Sequence, residues 1–205
     1  MGLIDGILAL LPFGLVSPAG AGPIMNIVYQ PPRIVNTANY NGASFGISYP
    51  ATTPGNLLVM AVAINGCGSI TTVKDNLNNT FSAAVNGSCA AIWYLTSSSS
   101  SVTSLTITYG SAPPSNQIWF WELGGMRKGM VLDGTGAQNC IVGTSQPAPT
   151  VTTNYSREFV VSAVMADQGI TSVNAPFTNL SIFNGNGAAY YLAPAKGTYG
   201  GTWTQ

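Results

Sequence analysis

The sequence predicts an all-β fold, an antiparallel β-sandwich that is jelly-roll-like and carries an apolar N-terminal arm. Short runs rich in Val, Ile, Thr, Tyr, Phe and Trp recur from residue 24 onward, and clusters of Gly, Pro, Asn and Ser separate them. After the first eleven residues, no helical period of three to four residues persists over a useful window. About ten short strands with regular turns are typical of two packed sheets.

The first segment of the chain is an apolar run that divides it into an arm, residues 1–23, and one sandwich domain, residues 24–205. The run lacks the basic residues that open a secretory signal and contains Asp5, and Pro12 and Gly14 interrupt it too early for a transmembrane helix. An apolar segment needs other protein to cover it. We expect an assembly contact with a neighbouring subunit, with packing on its own domain as the alternative. The contact residues would be Leu3, Ile4, Ile7, Leu8, Leu10 and Leu11.

The strands of the sandwich follow in chain order, each bounded by turn residues. Clear strands are predicted at residues 56–64, 90–95, 102–109, 117–123, 158–165, 188–192 and 198–204. Weaker ones are predicted at residues 24–29, 44–49, 70–74 and 181–183.

Two patterns within these strands predict how the faces are covered. Residues 102–109 alternate between apolar side chains and Thr, which indicates one face in water. Residues 56–64 and 158–164 are almost continuously apolar, which indicates strands covered on both faces. A sandwich normally leaves its outer faces wet, so we expect another layer, another subunit or the N-terminal arm to cover them.

The charge content excludes several classes of partner. Only 6% of the residues are charged, and six Lys and Arg balance six Asp and Glu, whereas an average domain is about 25% charged. Six scattered cations cannot displace the counterions of a nucleic acid or bind an anionic membrane surface. A neutral chain suits self-association. We therefore expect protein subunits as partners, in a homo-oligomer or lattice, and no nucleic acid.

The absence of histidine bears on catalysis. Histidine is the usual general base near neutral pH, the usual partner of a nucleophilic Ser or Cys, and a common metal ligand. Glu122 and Glu158 could in principle form a glycosidase pair. The pattern instead favours Glu158 as a residue at the start of a strand and Glu122 as an outward-facing side chain. We predict that the chain is not an enzyme and needs no cofactor.

Two loops offer oxygen ligands for calcium, around Asp75 and around Asp133. Each loop has a single carboxylate, which makes a weak site. The alternative is that both aspartates cap turns.

Aromatic and cysteine side chains supply the remaining candidates. Adjacent aromatic residues in a strand face opposite sides, so Trp93/Tyr94 and Tyr190/Tyr191 each put one ring in the core and one outside. The candidates for outward rings that could stack on sugars or anchor a protein interface are Tyr94, Tyr190 and Tyr191. A Cys67–Cys89 disulfide is one interpretation of the three cysteines, and buried free thiols are the other.

Several segments in order resemble a class of Gly/Ser/Thr-rich jelly-roll-like sandwich proteins from secreted bacterial proteins and phage virions. The matching pieces are GNLLVMAVA at 55–63, VKDNLNNTFSAA at 73–84, IWYL at 92–95, SLTITY at 104–109, IWFWELGGM at 118–126, LDGTGA at 132–137 and the closing TYGGTWT. The resemblance covers residues 50–205 and implies a structural, adhesive or ligand-binding role without catalytic residues. The missing signal and the apolar arm shift the expectation toward a virion component.

The first function hypothesis is therefore a virion structural protein, a capsid decoration or fibre-type component that self-assembles on a phage-like surface. The second is a secreted carbohydrate-binding module or adhesin that contacts glycans. The third is an extracellular filament or surface-layer subunit. All three place the protein on a virion surface or outside the cell.

Overall fold

The computed structural model describes residues 3–11, 26–27, 33–36, 43–66, 68–96, 98–99, 102–124, 132–136, 139–142, 144–156, 158–177 and 179–205. These residues contain strands and no helix, so the predicted all-β class is confirmed.

Twenty strands are present in these parts of the chain. Those of the first half are β1 (Leu3–Leu11), β2 (Asn26–Ile27), β3 (Arg33–Asn36), β4 (Ser44–Ser48), β5 (Leu57–Asn65), β6 (Ile70–Asp75), β7 (Ser82–Asn86), β8 (Ala90–Leu95), β9 (Ser104–Tyr109) and β10 (Ser115–Gly124). Those of the second half are β11 (Gly134–Thr135), β12 (Asn139–Val142), β13 (Ser145–Pro147), β14 (Val151–Thr152), β15 (Glu158–Ala166), β16 (Ser172–Val173), β17 (Asn179–Phe183), β18 (Asn186–Ala193), β19 (Thr198–Tyr199) and β20 (Thr202–Thr204).

Two six-stranded antiparallel sheets form the centre of the molecule. The first inner sheet has the order β2-β10-β5-β8-β7, and β3 also pairs with β10. The second inner sheet has the order β11-β1-β15-β18-β17, and β12 also pairs with β1. They pack face to face as the predicted sandwich.

Smaller sheets cover the two outer faces of this sandwich. The first outer sheet, β4-β9-β6, covers the first inner sheet. The second outer sheet, β13-β20-β16, and a separate β14–β19 ribbon cover the second inner sheet. The chain thus builds four β-layers, and three cores lie between them.

The alternation of β-strands explains the three cores. In β5, Leu57, Val59, Ala61 and Ala63 face the central core between the inner sheets, and the residues between them face the first lateral core under the first outer sheet. In β15, Val160 and Val164 face the second lateral core under the second outer sheet and the ribbon. Both strands are buried on both faces, as their apolar runs predicted.

The predicted coverage of the outer faces comes from this chain itself. Strand β9 alternates as predicted, with Leu105, Ile107 and Tyr109 buried and Thr106 exposed. It belongs to an outer layer, which is why only one of its faces is wet. The division of the predicted run 198–204 into β19 and β20 places its two halves in different sheets.

The N-terminal segment differs from the favoured expectation. Residues 3–11 form β1, an interior strand of the second inner sheet that pairs with β15 on one side and with β11 and β12 on the other. An arm separate from the sandwich is therefore not what the structure shows. The sequence could not distinguish the two structures, because an interior strand of a covered sheet and an arm that docks on a neighbouring subunit both have a continuous apolar run.

Candidate functional site

Two carboxyl groups meet beside the end of β1 in the second inner sheet. Leu10 pairs with Gly134 on one side and Leu11 pairs with Phe159 on the other. Asp133 directly precedes Gly134, and Glu158 directly precedes Phe159. Both acidic residues are therefore brought to the same end of the sheet.

The two carboxyl groups have different surroundings. Asp133 accepts hydrogen bonds from the backbone amide of Asn154 at 2.5 Å and from its side-chain Nδ2 at 2.8 Å. Glu158 is fully buried, and its Oε1 accepts one hydrogen bond, from the Tyr155 amide at 3.1 Å. Its Oε2 is buried without a hydrogen-bond partner.

These surroundings favour a protonated Glu158. Burial, and after it the charge of Asp133, raise the pKa of Glu158 to about 8. Near neutral pH this shift favours the protonated form of Glu158. Because Glu158 has no exposed surface, its protonation is linked to the stability of the fold.

Two tyrosine rings lie near this pair. The ring centroids of Tyr191 and Tyr199 are 5.5 Å apart, with the planes tilted by 49°. Both side chains are half-buried, and the Tyr199 hydroxyl donates to the Ala195 carbonyl at 2.5 Å. Burial, then the neighbouring Tyr191 and the more distant Glu158, raise the pKa of Tyr199. Leu192, the residue after Tyr191 in β18, is 38% exposed and faces the opposite side of the sheet.

A second polar group lies at the edge of the first lateral core. Glu122 accepts from the Thr53 amide at 2.7 Å and from Asn56 Nδ2 at 2.6 Å, both through Oε1. It lines a small recess, partly open to solvent, together with Tyr49, Pro50, Thr52 and Phe120. The hydroxyl groups of Tyr49 and Thr52 are buried there without partners.

The two glutamates that the sequence offered as a catalytic pair do not meet in one site. Glu122 belongs to the first inner sheet and is held by residues 53 and 56, whereas Glu158 belongs to the second inner sheet. The actual neighbour of Glu158 is Asp133, which the sequence gave as a calcium candidate.

Protein donors occupy both calcium candidates. Asp75 Oδ1 accepts from the amides of Leu77 and Asn79, each at 2.9 Å, and its Oδ2 accepts from Asn79 Nδ2 at 2.8 Å. Asp133 is occupied by Asn154 in the same way. Asp75 thus caps its own turn, the alternative that the sequence left open, whereas Asp133 binds a residue far along the chain. The residues that the structure describes contain no cluster of three or more metal-ligating side chains.

The three candidate surface aromatics are less exposed than expected. Tyr190 is 4% exposed and lies in the central core against Trp121 and Phe159, so its prediction as a surface residue is wrong. Tyr94 is half-buried against the same core, and Tyr191 is half-buried against the second lateral core beside Tyr199. Adjacent residues do face opposite sides, but Tyr190 takes the side of the central core, and an outer layer covers the side of Tyr191.

One predicted disulfide partner is seen. Cys89 is disulfide-bonded and 5% exposed. Cys67 lies outside the described residues, so its pairing with Cys89 stays a prediction. The Gly68 amide donates to the Ser88 carbonyl at 2.6 Å, which brings the chain next to Cys67 alongside the chain next to Cys89.

The outward face of the first outer sheet consists of small, mostly uncharged side chains. Cross-strand register forms three rows on it: Ser44, Thr108 and Thr72; Gly46, Thr106 and Lys74; Ser48 and Ser104. Lys74 is the single charge in these rows. We call these eight residues the hydroxyl face. The sequence predicted the alternating Thr residues of β9 but not which strands pair with it.

Comparison of the chain with protein-family models, with curated proteins and with solved structures finds no match. The resemblance to the Gly/Ser/Thr-rich sandwich class therefore stays a prediction. No helix in the described parts of the chain has the length and apolarity needed to cross a membrane.

Proposed function

We propose that this chain is a non-enzymatic structural protein of a virion or similar surface assembly, a capsid decoration or fibre-type component that acts through subunit packing. The observation that supports it is the hydroxyl face, which carries only Lys74 as a charge among eight outward residues. Monomers normally use surface charge to keep copies apart. A sheet face with a single charge and mostly short hydroxyl side chains suits close contact with another protein surface.

The disulfide at Cys89 supports the predicted location. Disulfides persist in oxidising compartments and on virion or cell surfaces, and are rare in reducing cytosol. The proposed assembly would therefore form on a virion surface or outside the cell.

The mass of the purified chain at neutral pH, measured by sedimentation velocity, tests this proposal. We expect a multimer, and the variant Thr106→Arg should dissociate it, because a second cation beside Lys74 in the middle row would repel a packed surface. A matched control is Thr152→Arg, which places the same side chain at another exposed Thr, on the β14–β19 ribbon. A monomeric wild type would overturn the proposal, and an assembly that survives Thr106→Arg would exclude the hydroxyl face as its contact.

A second candidate function is a secreted carbohydrate-binding module or adhesin, favoured by the half-buried ring pair Tyr191 and Tyr199. Aromatic faces of this kind stack on sugars. On a glycan array, Tyr191→Ala should abolish binding, while Leu77→Ala, which truncates an exposed apolar side chain, should not. No bound glycan with the wild type would end this candidate.

A further inference from the structure

The strand β1 holds an interior place in the second inner sheet. It pairs with β15 over eight positions, from Ile4↔Ala166 to Leu11↔Phe159. On its other side it pairs with β12 through residues 3–6 and with β11 through residues 9–10. Without β1, the described backbone of β15 would have an open edge along almost its full length.

All sheet partners of β1 lie far along the chain. The strands β11, β12 and β15 begin at residue 134 or later, and β1 pairs with none of the strands from β2 to β10. Because none of these described pairings is a hairpin with the next strand in sequence, every backbone hydrogen bond that they contain could be made equally by β1 of a second copy.

The connection from β1 to the rest of the fold is long enough for this. Fourteen residues separate Leu11 from Asn26, the first residue of β2. An extended chain covers roughly 3.3–3.6 Å per residue, so this length can reach about 50 Å. Stacked sheets lie about 10 Å apart, so a connection of this length can lead to a sheet of the same copy or to one of a neighbouring copy.

Exchange conserves the contacts of the strand. An apolar β1 in water and an open edge on β15 would both be unfavourable, since an unpaired edge exposes amide and carbonyl groups to any other chain. Exchange of an identical element between copies restores both sets of contacts at low cost. Addition of a strand from another chain is also a general mode of recognition between proteins.

We infer that β1 is the connecting element of the assembly: β1 of one copy occupies the place between β15 and β11–β12 of a neighbouring copy. The inference rests on the proposed function, because it requires that the chain assembles. It specifies the partner as a second copy of this chain and the contact as a strand inside a sheet.

Cross-linking between two different chains tests it. Ile7 and Ala163 are register partners, so one chain carries Ile7→Cys and another, with a size tag, carries Ala163→Cys. Both also carry Cys140→Ser, because Cys140 pairs with Asp5 on the other side of β1. After co-expression and oxidation, we expect a covalent heterodimer on a non-reducing gel.

A matched control uses a pair that has no connection with β1. Thr152 and Thr198 are register partners whose hydroxyl groups lie 2.9 Å apart. When Thr152→Cys and Thr198→Cys are placed on separate chains, no heterodimer should form. When Ile7→Cys and Ala163→Cys are placed on one chain, exchange predicts a ladder of covalent multimers, and pairing within the chain predicts a cross-linked monomer.

A peptide gives a second measurement on the unaltered protein. A fluorescent peptide of residues 2–14, present during assembly, should compete with β1, remain bound and shorten the assemblies. The control peptide carries Ala9→Pro, because Ala9 lies between Val161 and Thr135 and proline cannot donate a ladder hydrogen bond there. It should neither bind nor change the mass.

The results separate the two proposals. A wild-type chain that sediments as a monomer overturns the proposed function and, with it, the exchange. An assembly that forms without any heterodimer and excludes the peptide overturns the exchange alone and leaves subunit packing through another surface.

Discussion

The two lateral cores cover opposite faces of the same sandwich with different kinds of structure. Over the first, β4, β9 and β6 form one continuous sheet of five- and six-residue strands. Over the second, β13, β20 and β16 and the β14–β19 ribbon are strands of two or three residues. A cover with so few ladder hydrogen bonds depends on individual side chains.

The buried contacts reflect this difference. In the first lateral core, Tyr49 stacks on Phe120 with centroids 4.5 Å apart, within a large set of aliphatic side chains. In the second, the fully buried Trp203 is the largest side chain, and its Nε1 donates to Ser162 Oγ at 3.2 Å. Long strands thus distribute the stability of an outer layer over many contacts, whereas short strands make it depend on a few side chains.

Truncation of Trp203 should have the largest effect. Trp203→Ala removes the side chain around which the second lateral core packs, and leaves a cavity under the middle strand of the second outer sheet. We expect a loss of about 3–5 kcal/mol in the free energy of unfolding, measured by urea denaturation. Hydrogen exchange should show that amide protection falls most in β13 and β16.

The matched variant is Phe81→Ala, which truncates a 2% exposed ring in the first lateral core. Its cost should be similar in size, but the first outer sheet should keep its amide protection, because its longer strands hold one another. If each variant lost as much amide protection in the first outer sheet as in the second, the two outer layers would not differ in how their stability is distributed.

A smaller effect is expected where β18 passes under Trp203. A Cβ at Gly187 would lie 2.9 Å from the Trp203 ring and 3.3 Å from Val164 Cγ1. Gly187→Ala should therefore lower the free energy of unfolding by about 1–3 kcal/mol through overpacking.

The control is Gly46→Ala on the hydroxyl face, where the nearest atom to the new Cβ is the Leu105 carbonyl oxygen at 3.6 Å. That variant should be neutral or slightly stabilising, because alanine restricts the unfolded chain more than glycine does. Thermal melting of the two variants side by side gives the answer, and equal midpoints would contradict a tightly fitted second core.

The same contrast explains what the sequence could predict. The alternation of β9 and the apolar runs of β5 and β15 are long enough to show their periods, so the sandwich and a covered outer face followed from them. Strands of two residues, such as β14 and β16, cannot show a period. Of the second outer layer, the sequence therefore predicted only the run 198–204, which forms β19 and β20, and not β13, β14 or β16.

The candidate site depended on contacts that no local pattern carries. Asp133 and Glu158 approach each other only because β1 pairs with both of their strands. Tyr190 was misplaced for a related reason: the sequence shows that Tyr190 and Tyr191 face opposite sides, but not which of the two faces the central core. The turn caps at Asp75 are local, and the sequence did contain them as an alternative.

The smallest expected effect concerns Glu158, whose carboxyl group lies on the side of β15 that the second outer layer covers. The unfolded chain loses this proton near the ordinary glutamate pKa of about 4.3, whereas burial and the charge of Asp133 raise the pKa of Glu158 in the folded protein to about 8. Between these values the folded state holds a proton that the unfolded state has released. Unfolding therefore releases a proton, and stability falls as the pH rises through this window, by at most about 1.4 kcal/mol per pH unit.

The variant Glu158→Gln should remove this slope, because glutamine resembles the protonated acid: its oxygen can still accept from the Tyr155 amide, and its Nε2 can donate toward Asp133. Urea denaturation at pH 6 and pH 7 should show a wild-type loss of about 1 kcal/mol that the variant lacks. The control is Asp167→Asn, which removes an exposed carboxylate and should keep the wild-type slope. If the glutamine variant loses as much stability as the wild type between these pH values, Glu158 is already ionised at pH 6. The second lateral core would then contain a buried charge, which its short strands could accommodate only if water reached the carboxylate.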